Sequence, residues 1–276
     1  MEKKKIGMIA GKGIYPEIFA RAARKSEPSV ELFAVGFHGE TFEHLKDEVD
    51  VLEWFRVGQL GKIISFFTKN DVKQCVMIRQ VSPSNLFDLI PDIRLVKLLA
   101  RLKEKNAESL FTGIADELAK DGVEVMDSTT YLDDLLATEG HICGPKLKKK
   151  FEDDVKYGFR IAKETSRLDI GQSVVVKNGT VLAVEAFEGT NACVKRGGEQ
   201  GKGKGCVLAK VAKPDHDFRF DVPCLGEHTI RNCHEAGIQV IACEVGKTLF
   251  LGMDDVVRLC NKYKITIVGL QDSDIG

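Results

Sequence analysis

The segment 210–223 places acidic, basic and imidazole side chains together after a predicted strand. It holds three aspartates, two lysines, an arginine and a histidine: Asp215, Asp217, Asp221, Lys210, Lys213, Arg219 and His216. Carboxylate oxygens bind Mg²⁺, usually one or two of them together with substrate phosphates. The metal neutralises phosphate charge, and a further carboxylate orients or deprotonates water. The pattern favours a metal-assisted site over its alternative, a polar loop with local aspartate turns.

The segment 185–191 is a second candidate, because it carries two carboxylates and a hydroxyl where a strand leaves a predicted hairpin. Glu185 points inward if Val181 and Ala183 share its face, since side chains on a strand alternate between faces. A buried carboxylate is costly unless it is paired or binds a cation. The alternative is a salt-bridged glutamate followed by a turn.

The tract 195–205 is rich in glycine, lysine and arginine. Glycine loses much backbone entropy on folding, so we expect a flexible basic loop without regular structure. Backbone amides and cations together suit a diphosphate, so a mobile phosphate clamp is the more specific interpretation. Nucleic acid would fit the same loop, but no aromatic residues interleave with it.

The loop Gly11-Lys12-Gly13 lies between a predicted strand and a predicted helix. Glycines there allow backbone amides to approach a phosphate at the helix N-terminus. Pro16 occupies the third glycine position of the dinucleotide fingerprint, and the spacing is not that of a P-loop. Phosphate binding and a tight turn both remain open, and classical dinucleotide binding is not expected.

The predicted elements alternate between strands and helices in the first half of the chain. The strands are 6–10, 30–36, 74–79 and 123–126, and helical patterns cover 16–24, 62–69 and 92–120. This order predicts an α/β fold with an N-terminal Rossmann-like parallel sheet. Glycines and a proline in 137–145, followed by a lysine-rich stretch, mark a predicted boundary between domains 1–145 and 146–276.

The second half predicts a C-terminal α/β domain that begins with a β-hairpin. Two β-rich runs flank Asn178-Gly179, the pair that favours a type I′ turn. The remaining predicted strands are 206–212, 239–243 and 266–269, and the predicted helices are 153–168, 229–236 and 253–262.

Composition excludes several classes of protein. The 40 Lys and Arg residues balance 41 Asp and Glu residues, which argues against a dedicated nucleic-acid binder. No apolar run approaches the ~18 residues of a membrane span. The 8 cysteines form no C-x-x-C pair, so we expect reduced thiols in a reducing cytoplasm.

Specific strings along nearly the whole chain resemble a known family. They include Ile9-Ala10-Gly11-Lys12-Gly13, Leu168-Asp169-Ile170-Gly171-Gln172, Val184-Glu185-Ala186, Glu188-Gly189-Thr190 and Arg219-Phe220-Asp221-Val222-Pro223. With them the sequence resembles the bacterial LpxI-type UDP-2,3-diacylglucosamine pyrophosphatases.

The resemblance implies a cytoplasmic hydrolase of lipid A biosynthesis, peripheral at the inner membrane and homodimeric. It would split a glycolipid nucleotide, UDP-2,3-diacylglucosamine, into UMP and 2,3-diacylglucosamine 1-phosphate (lipid X), with Mg²⁺ or a similar divalent cation. Asp221 matches the family's essential aspartate, and Asp217 is the candidate second carboxylate; both are predicted as catalytic residues and metal ligands. The predicted substrate-binding residues are Gly11, Gly13, Glu188, Thr190, Arg196, Lys213 and Arg219.

The sequence departs from the family pattern at three places. Asn191 stands where the family has an aspartate, Val81-Ser82-Pro83 lacks the expected arginine, and Glu108 is what remains of a pair of acids. A non-catalytic binder or carrier of a lipid-linked sugar phosphate is the alternative function. A nicotinamide oxidoreductase would need an acid after the second strand, where Gly36-Phe37-His38 offers none.

Overall fold

The computed structural model describes residues 3–78, 91–102, 107–214 and 217–275, which form two compact α/β units. Unit 1 extends to Tyr131 and also contains Asp217–Asp221, and unit 2 comprises the other described residues from Leu132 onward. The change at Tyr131 comes before the boundary predicted after residue 145. The reason is that 137–145, predicted as the domain boundary, contains a strand that joins the sheet of unit 2.

Unit 1 contains a five-stranded parallel sheet. Its strands are β1 (Lys5–Ala10), β2 (Glu31–Phe37), β3 (Val51–Phe55), β4 (Gln74–Ile78) and β5 (Glu124–Met126), and its helices are α1 (Tyr15–Ser26), α2 (Leu60–Lys69), α3 (Ile93–Arg101) and α4 (Ala107–Lys120). The strand order is β3-β2-β1-β4-β5. Chain order therefore reverses between β1 and β4, which is where doubly wound sheets bind ligands. The predicted Rossmann-like parallel sheet is confirmed.

The core of unit 1 includes side chains from the distant segment 217–221. Phe33, Val35 and Phe37, on one face of β2, pack in a cluster with buried residues of α2, α3 and α4. Phe220 belongs to the same cluster and is 6% exposed. Burial of a phenylalanine contributes roughly 1.5–3 kcal/mol, so this aromatic side chain holds the segment on unit 1.

Unit 2 contains a six-stranded mixed sheet with helices on both faces. Its elements are β6 (Gly140–Cys143), α5 (Glu152–Arg167), β7 (Ser173–Lys177), β8 (Thr180–Val184), α6 (Thr190–Gln200), β9 (Cys206–Lys210), β10 (Cys224–Gly226), α7 (Glu227–Glu235), β11 (Ile238–Glu244), β12 (Leu249–Leu251), α8 (Met253–Tyr263) and β13 (Thr266–Leu270). The sheet order is β6-β13-β11-β9-β7-β8, and β10 pairs with β12. Leu208 and Ile241 share a cluster with α6, α7 and α8, whereas Val207 and Val240 share one with α5.

The predicted hairpin between β7 and β8 is confirmed, and a helix stabilises its turn. Asn178 and Gly179 have φ angles of 50° and 71°, as a type I′ turn requires. The buried carboxylate of Asp154 in α5 accepts hydrogen bonds from both turn amides, at 2.8 and 2.7 Å. These two bonds fix the turn against the helix.

The expectation that 195–205 forms a flexible loop is wrong, because helix α6 continues to Gln200. A Cβ atom on Gly197 would lie 2.5 Å from Val175 Cβ, and one on Gly198 would lie 2.2 Å from the carbonyl oxygen of Ala236. The glycines therefore allow the helix to approach β7 and the C-cap of α7 closely. Their entropic cost is offset by this packing, and residues 201–205 alone form a turn.

Candidate functional site

The predicted glycine loop lies at the carboxyl edge of the sheet in unit 1. The amide of Gly11 donates to the carbonyl of Ile78 at the end of β4, at 2.8 Å. Gly13 has a φ of 96°, which favours glycine, and α1 begins two residues later. The loop thus spans the point where strand order reverses and precedes a helix N-terminus. Gly11 and Gly13 remain predicted phosphate ligands at this position.

The predicted catalytic aspartates lie on one turn at the same edge. The amides of Phe220 and Asp221 both donate to the carbonyl of Asp217, at 3.1 and 3.3 Å. Ser128, which follows β5 and is 2% exposed, donates to the carbonyl of Phe218 from its amide at 2.9 Å and from its hydroxyl at 2.8 Å. The turn is therefore fixed to the end of β5 by two hydrogen bonds and by the buried ring of Phe220.

Ser128 also connects the aspartate turn to the glycine loop. Its carbonyl accepts a hydrogen bond from the hydroxyl of buried Tyr15, in the first turn of α1, at 2.8 Å. Tyr15, Ser128 and Phe218 thus form a continuous chain of contacts along the sheet edge. No local sequence pattern assigns Tyr15 or Ser128 a positioning role, since their partners lie about a hundred residues away in the chain.

Asp217 and Arg219 form an ion pair within the turn. The guanidinium of Arg219 donates to both carboxylate oxygens of Asp217, from Nε at 2.9 and 3.2 Å and from Nη2 at 2.7 Å. These bonds raise the pKa of Arg219, burial opposes them, and the charges of Asp116 and Asp127 add to the increase. The structure thus holds a permanent cation among carboxylates at this edge.

The carboxylates of this turn are donors of the kind that Mg²⁺ binds, and Asp221 is one of them. Its side chain is exposed, and a single carboxylate is enough when water and substrate phosphates complete the coordination of Mg²⁺. Both oxygens of Asp217 already accept from Arg219, so a cation would have to share that carboxylate. Within the described residues, no three His, Cys, Asp or Glu side chains form a metal-binding group. Asp215 and His216 lie outside the described residues, and Asp217 and Asp221 remain predicted ligands.

A second group of polar side chains lies at one edge of the sheet in unit 2. Thr190, the first residue of α6, donates to Oε1 of Glu185 at 3.0 Å. Its hydroxyl oxygen lies 3.3 Å from the hydroxyl of Ser173 and accepts from Nζ of Lys210 at 3.4 Å. Oε2 of Glu185 is buried and has no hydrogen-bond partner among the described residues. The inward carboxylate expected from the sequence is therefore present, held by Thr190.

The other predicted residues of unit 2 form ion pairs nearby. Arg196 in α6 contacts the carboxylate of Glu188 and donates to the carbonyl of Val184 at 2.9 Å. A backbone amide hydrogen bond and the one from Arg196 lower the pKa of Glu188. Lys213 pairs with Asp169. These contacts place Glu188, Thr190 and Arg196 around the start of α6, and Lys213 beyond the end of β9.

A buried ion pair fixes the backbone between β9 and Lys213. Glu244 is 3% exposed, and its Oε2 accepts from the amide of Ala212 at 2.9 Å. Its Oε1 accepts from Nζ of Lys163 at 2.8 Å and pairs with Lys247 at 2.7 Å. Burial alone would lower the pKa of Lys163, but the hydrogen bonds and charges of Glu244 and then Asp272 together outweigh it, and the pKa is raised.

Two of the three positions at which the sequence departs from the family pattern lie among the described residues. Asn191 is the second residue of α6, and its side-chain oxygen accepts from Asn232 at 2.9 Å. Glu108 lies in the first turn of α4. The segment 81–83 lies outside the described residues. The 8 cysteines are free, as the sequence predicts.

The chain is a two-domain α/β protein with charged groups at one edge of each main sheet. The LpxI N-terminal domain model matches residues 5–135, and the LpxI C-terminal domain model matches residues 138–268. The chain therefore belongs to the LpxI family, and the resemblance read from its sequence is confirmed.

A curated relative supports the same conclusion along the whole chain. The UDP-2,3-diacylglucosamine pyrophosphatase LpxI of Caulobacter vibrioides is 28% identical over 285 aligned residues, covering 98% of this chain and 99% of the relative. Because that relative is a hydrolase, the prediction that this family member is an enzyme is confirmed. No helix among the described residues is long and apolar enough to cross a bilayer.

Similarity to solved structures is weak. The biotin carboxylase domain of 2-oxoglutarate carboxylase from Hydrogenobacter thermophilus gives a TM-score of 0.28 at 11% identity, covering 73% of this chain and 42% of that one. The biotin carboxylase subunit of a pyruvate carboxylase gives 0.27 at 13% identity, covering 75% and 44%. The chain spans less than half the length of these proteins, and scores this low carry no inference about fold or function.

Proposed function

We propose that this protein hydrolyses the diphosphate of UDP-2,3-diacylglucosamine and releases UMP and 2,3-diacylglucosamine 1-phosphate. The match of both LpxI domains and of the Caulobacter relative supports this substrate. The single structural observation that carries the proposal is the anchored turn Asp217–Asp221 at the carboxyl edge of unit 1. Acidic and cationic groups are held there beside a glycine loop, as diphosphate chemistry requires.

The residues of the turn have distinct roles in the proposed reaction. Water adds to one phosphorus, and the bridging anhydride oxygen leaves with the other phosphate. The guanidinium of Arg219 offsets the negative charge that develops on the phosphate oxygens. Backbone amides of the loop Gly11–Gly13 bind phosphate oxygens at the start of α1. One carboxylate of the pair Asp217 and Asp221 orients the water.

A divalent cation is part of the proposal. Mg²⁺, when bound, would neutralise phosphate charge, and Asp221 would hold it with Asp217 as the second candidate ligand. In unit 2, Glu188, Thr190, Arg196 and Lys213 are retained as proposed substrate-binding residues. We further propose that the enzyme is a cytoplasmic homodimer that contacts the surface of the inner membrane transiently.

The experiment is UMP release from UDP-2,3-diacylglucosamine by the purified chain. We expect UMP and lipid X in equal amounts with Mg²⁺, a loss of at least a hundredfold in rate with EDTA, and recovery when Mg²⁺ is added back. Full activity in EDTA would contradict the metal requirement. Retention of the glycolipid without any UMP would contradict hydrolysis and favour the alternative, a non-catalytic binder or carrier.

A further inference from the structure

An aromatic pair that the proposed reaction does not use lies at the carboxyl edge of the sheet in unit 1. The ring centroids of His38 and Trp54 are 5.4 Å apart, and the ring planes are inclined by 24°, so the two rings are stacked. His38 directly follows β2 and is exposed, whereas Trp54 lies near the end of β3 and is half-buried. The indole therefore supports an imidazole that solvent can reach, and we call these residues the His38/Trp54 pair.

The register of the sheet holds the His38/Trp54 pair in place. Ala10 on β1, Gly36 on β2 and Trp54 on β3 are direct neighbours across the three parallel strands. A Cβ atom on Gly36 would lie 3.1 Å from Cε3 and from Cζ3 of the indole, so the missing side chain allows the ring to lie over β2. The amide of His38 donates to the carbonyl of Phe55, the last residue of β3, at 3.4 Å. Both members of the pair are thus fixed to the ends of their strands.

The loop after β2 is joined to the start of the glycine loop after β1. The hydroxyl of Thr41, which is 6% exposed, donates to the carbonyl of Ala10 at 2.6 Å and accepts from the amide of Phe37 at 2.8 Å. Ala10 directly precedes the loop Gly11–Gly13. Neighbouring strands lie about 4.8 Å apart, so the Cα atoms of Ala10 and Trp54, two strands apart, are separated by about 10 Å. This separation suits a nucleotide with its phosphates at the glycine loop and its base at the His38/Trp54 pair.

The residues that follow β1, β2 and β3 are of types that bind a nucleotide. Lys12 lies in the glycine loop and Arg56 directly follows β3; both are exposed, and neither has an ion-pair partner among the described residues. Such cations are available to phosphate oxygens. In dinucleotide-binding sheets an acid after the second strand binds the ribose of the ligand. His38 occupies this position here, so an aromatic ring lies where such a sheet contacts a nucleoside.

The strand order arranges these groups as a UDP-linked substrate requires. From one side of the sheet to the other, the order is β3-β2-β1-β4-β5. The His38/Trp54 pair lies at β2 and β3, the loop Gly11–Gly13 follows β1, and Ser128, which follows β5, holds the turn Asp217–Asp221. A nucleotide along this edge would therefore present its base, its phosphates and the bond that is hydrolysed in the same order as the groups proposed to contact them.

We propose that the uracil base of a uridine nucleotide stacks on the exposed imidazole of His38, which Trp54 supports from its other side. The proposal rests on the proposed function in one respect, namely that the substrate carries a uridine diphosphate group. Every nucleobase has a flat aromatic face, and its stacking on an aromatic side chain contributes substantially to affinity. The pair therefore binds the nucleoside part of the substrate, and the glycine loop with Lys12 binds its phosphates.

The test is calorimetric titration of the full chain with UMP, and with ribose 5-phosphate as the ligand that lacks the base. We expect the double variant His38→Ala and Trp54→Leu to raise the Kd of UMP at least about tenfold, because both aromatic faces are removed. His38→Phe, which retains a ring, should bind UMP nearly as the unchanged protein does. The matched control is the double variant His234→Ala and Tyr263→Leu, which removes a stacked pair in unit 2 and should leave the Kd of UMP unchanged.

A second measurement needs no variant. Trp54 is the one tryptophan of the chain, so its fluorescence reports on the His38/Trp54 pair alone. We expect UMP to change the emission of Trp54 with the same midpoint as in calorimetry. Ribose 5-phosphate should bind more weakly than UMP and should leave the emission unchanged. This measurement tests the proposal even if the double variant of the pair does not fold.

Three results would overturn the proposal. One is an equal Kd of UMP for the folded double variant of the pair and the unchanged protein, or no binding of UMP by the unchanged protein. Another is binding of UMP without any change in the emission of Trp54. The third is a Kd for His38→Phe as high as that of the double variant, which would replace stacking by a polar contact of the imidazole. Binding of UMP that depends on the pair, without UMP release from UDP-2,3-diacylglucosamine, would contradict the proposed function alone.

Discussion

Replacing Gly198 with alanine raises the helix propensity of α6 but introduces a steric clash at its packing interface. Alanine in place of glycine in a helix interior favours the helix by about 1 kcal/mol. The new Cβ would lie 2.2 Å from the carbonyl oxygen of Ala236 and 2.7 Å from its Cβ. The first of these atoms is backbone, at the C-cap of α7, so relief requires a shift of the helix itself.

We expect the free-energy cost of overpacking to exceed the gain in helix propensity. Overpacking that forces backbone shifts costs about 1–3 kcal/mol, occasionally more, and a contact this short belongs at the upper end. After the gain in propensity, we expect Gly198→Ala to lower the free energy of unfolding by about 2 kcal/mol. At about 2–4 °C per kcal/mol, the midpoint of unit 2 unfolding should fall by roughly 4–8 °C.

The assay is thermal and urea unfolding followed by circular dichroism, with Lys195→Ala as the control on the same helix. Lys195 is exposed, so its replacement should change stability by no more than about 0.5 kcal/mol. If Gly198→Ala were as stable as the unchanged protein or more so, the close approach of α6 to α7 would be refuted as the reason for the glycines.

Three further substitutions test other contacts. Ser128→Ala removes the hydroxyl bond to Phe218, worth about 1 kcal/mol, so kcat for UMP release should fall about fivefold with little change in KM; an unchanged kcat would remove Ser128 from the positioning of the turn. Glu244→Gln leaves Lys163 partly buried with the exposed Asp272 still 3.2 Å away, so urea unfolding should show a loss of about 2 kcal/mol, and no loss would contradict the buried pair. Asp154→Ala leaves two turn amides of the hairpin without acceptors, so stability should fall by about 2 kcal/mol in the same assay, and no loss would contradict the hairpin contact.

The sequence predicts best those features that depend on neighbouring residues. The turn Asn178-Gly179 is an example, because both positive φ angles are a local property of this pair. The alternation of strands and helices in unit 1 is another, since each pattern is contained within its own element. β3 (Val51–Phe55) was not predicted. It is an edge strand in which all residues but the last are exposed or half-buried, including Glu53, so it lacks the continuous apolar run of a buried strand.

Features that depend on distant partners were missed or misread. The glycines of α6 suggest a loop, because the sequence does not show that Val175 and Ala236 pack closely against them. The stretch that contains β6 was predicted as a domain boundary because its partner strand, β13, lies more than a hundred residues later. The turn Asp217–Asp221 was expected in the C-terminal domain, but the hydrogen bonds from Ser128 hold it on unit 1. Sequence spacing alone contains no information about such contacts.

The most direct test of the account compares Asp221→Asn with the unchanged protein in UMP release from UDP-2,3-diacylglucosamine at saturating Mg²⁺. Asp255→Asn is the matched control, because Asp255 is an exposed aspartate of α8 paired with Arg258. We predict that Asp221→Asn retains the unfolding midpoint and loses at least about a hundredfold in kcat, while the control keeps its rate. Turnover by Asp221→Asn at the rate of the unchanged protein would contradict the assignment of the anchored turn as the catalytic site.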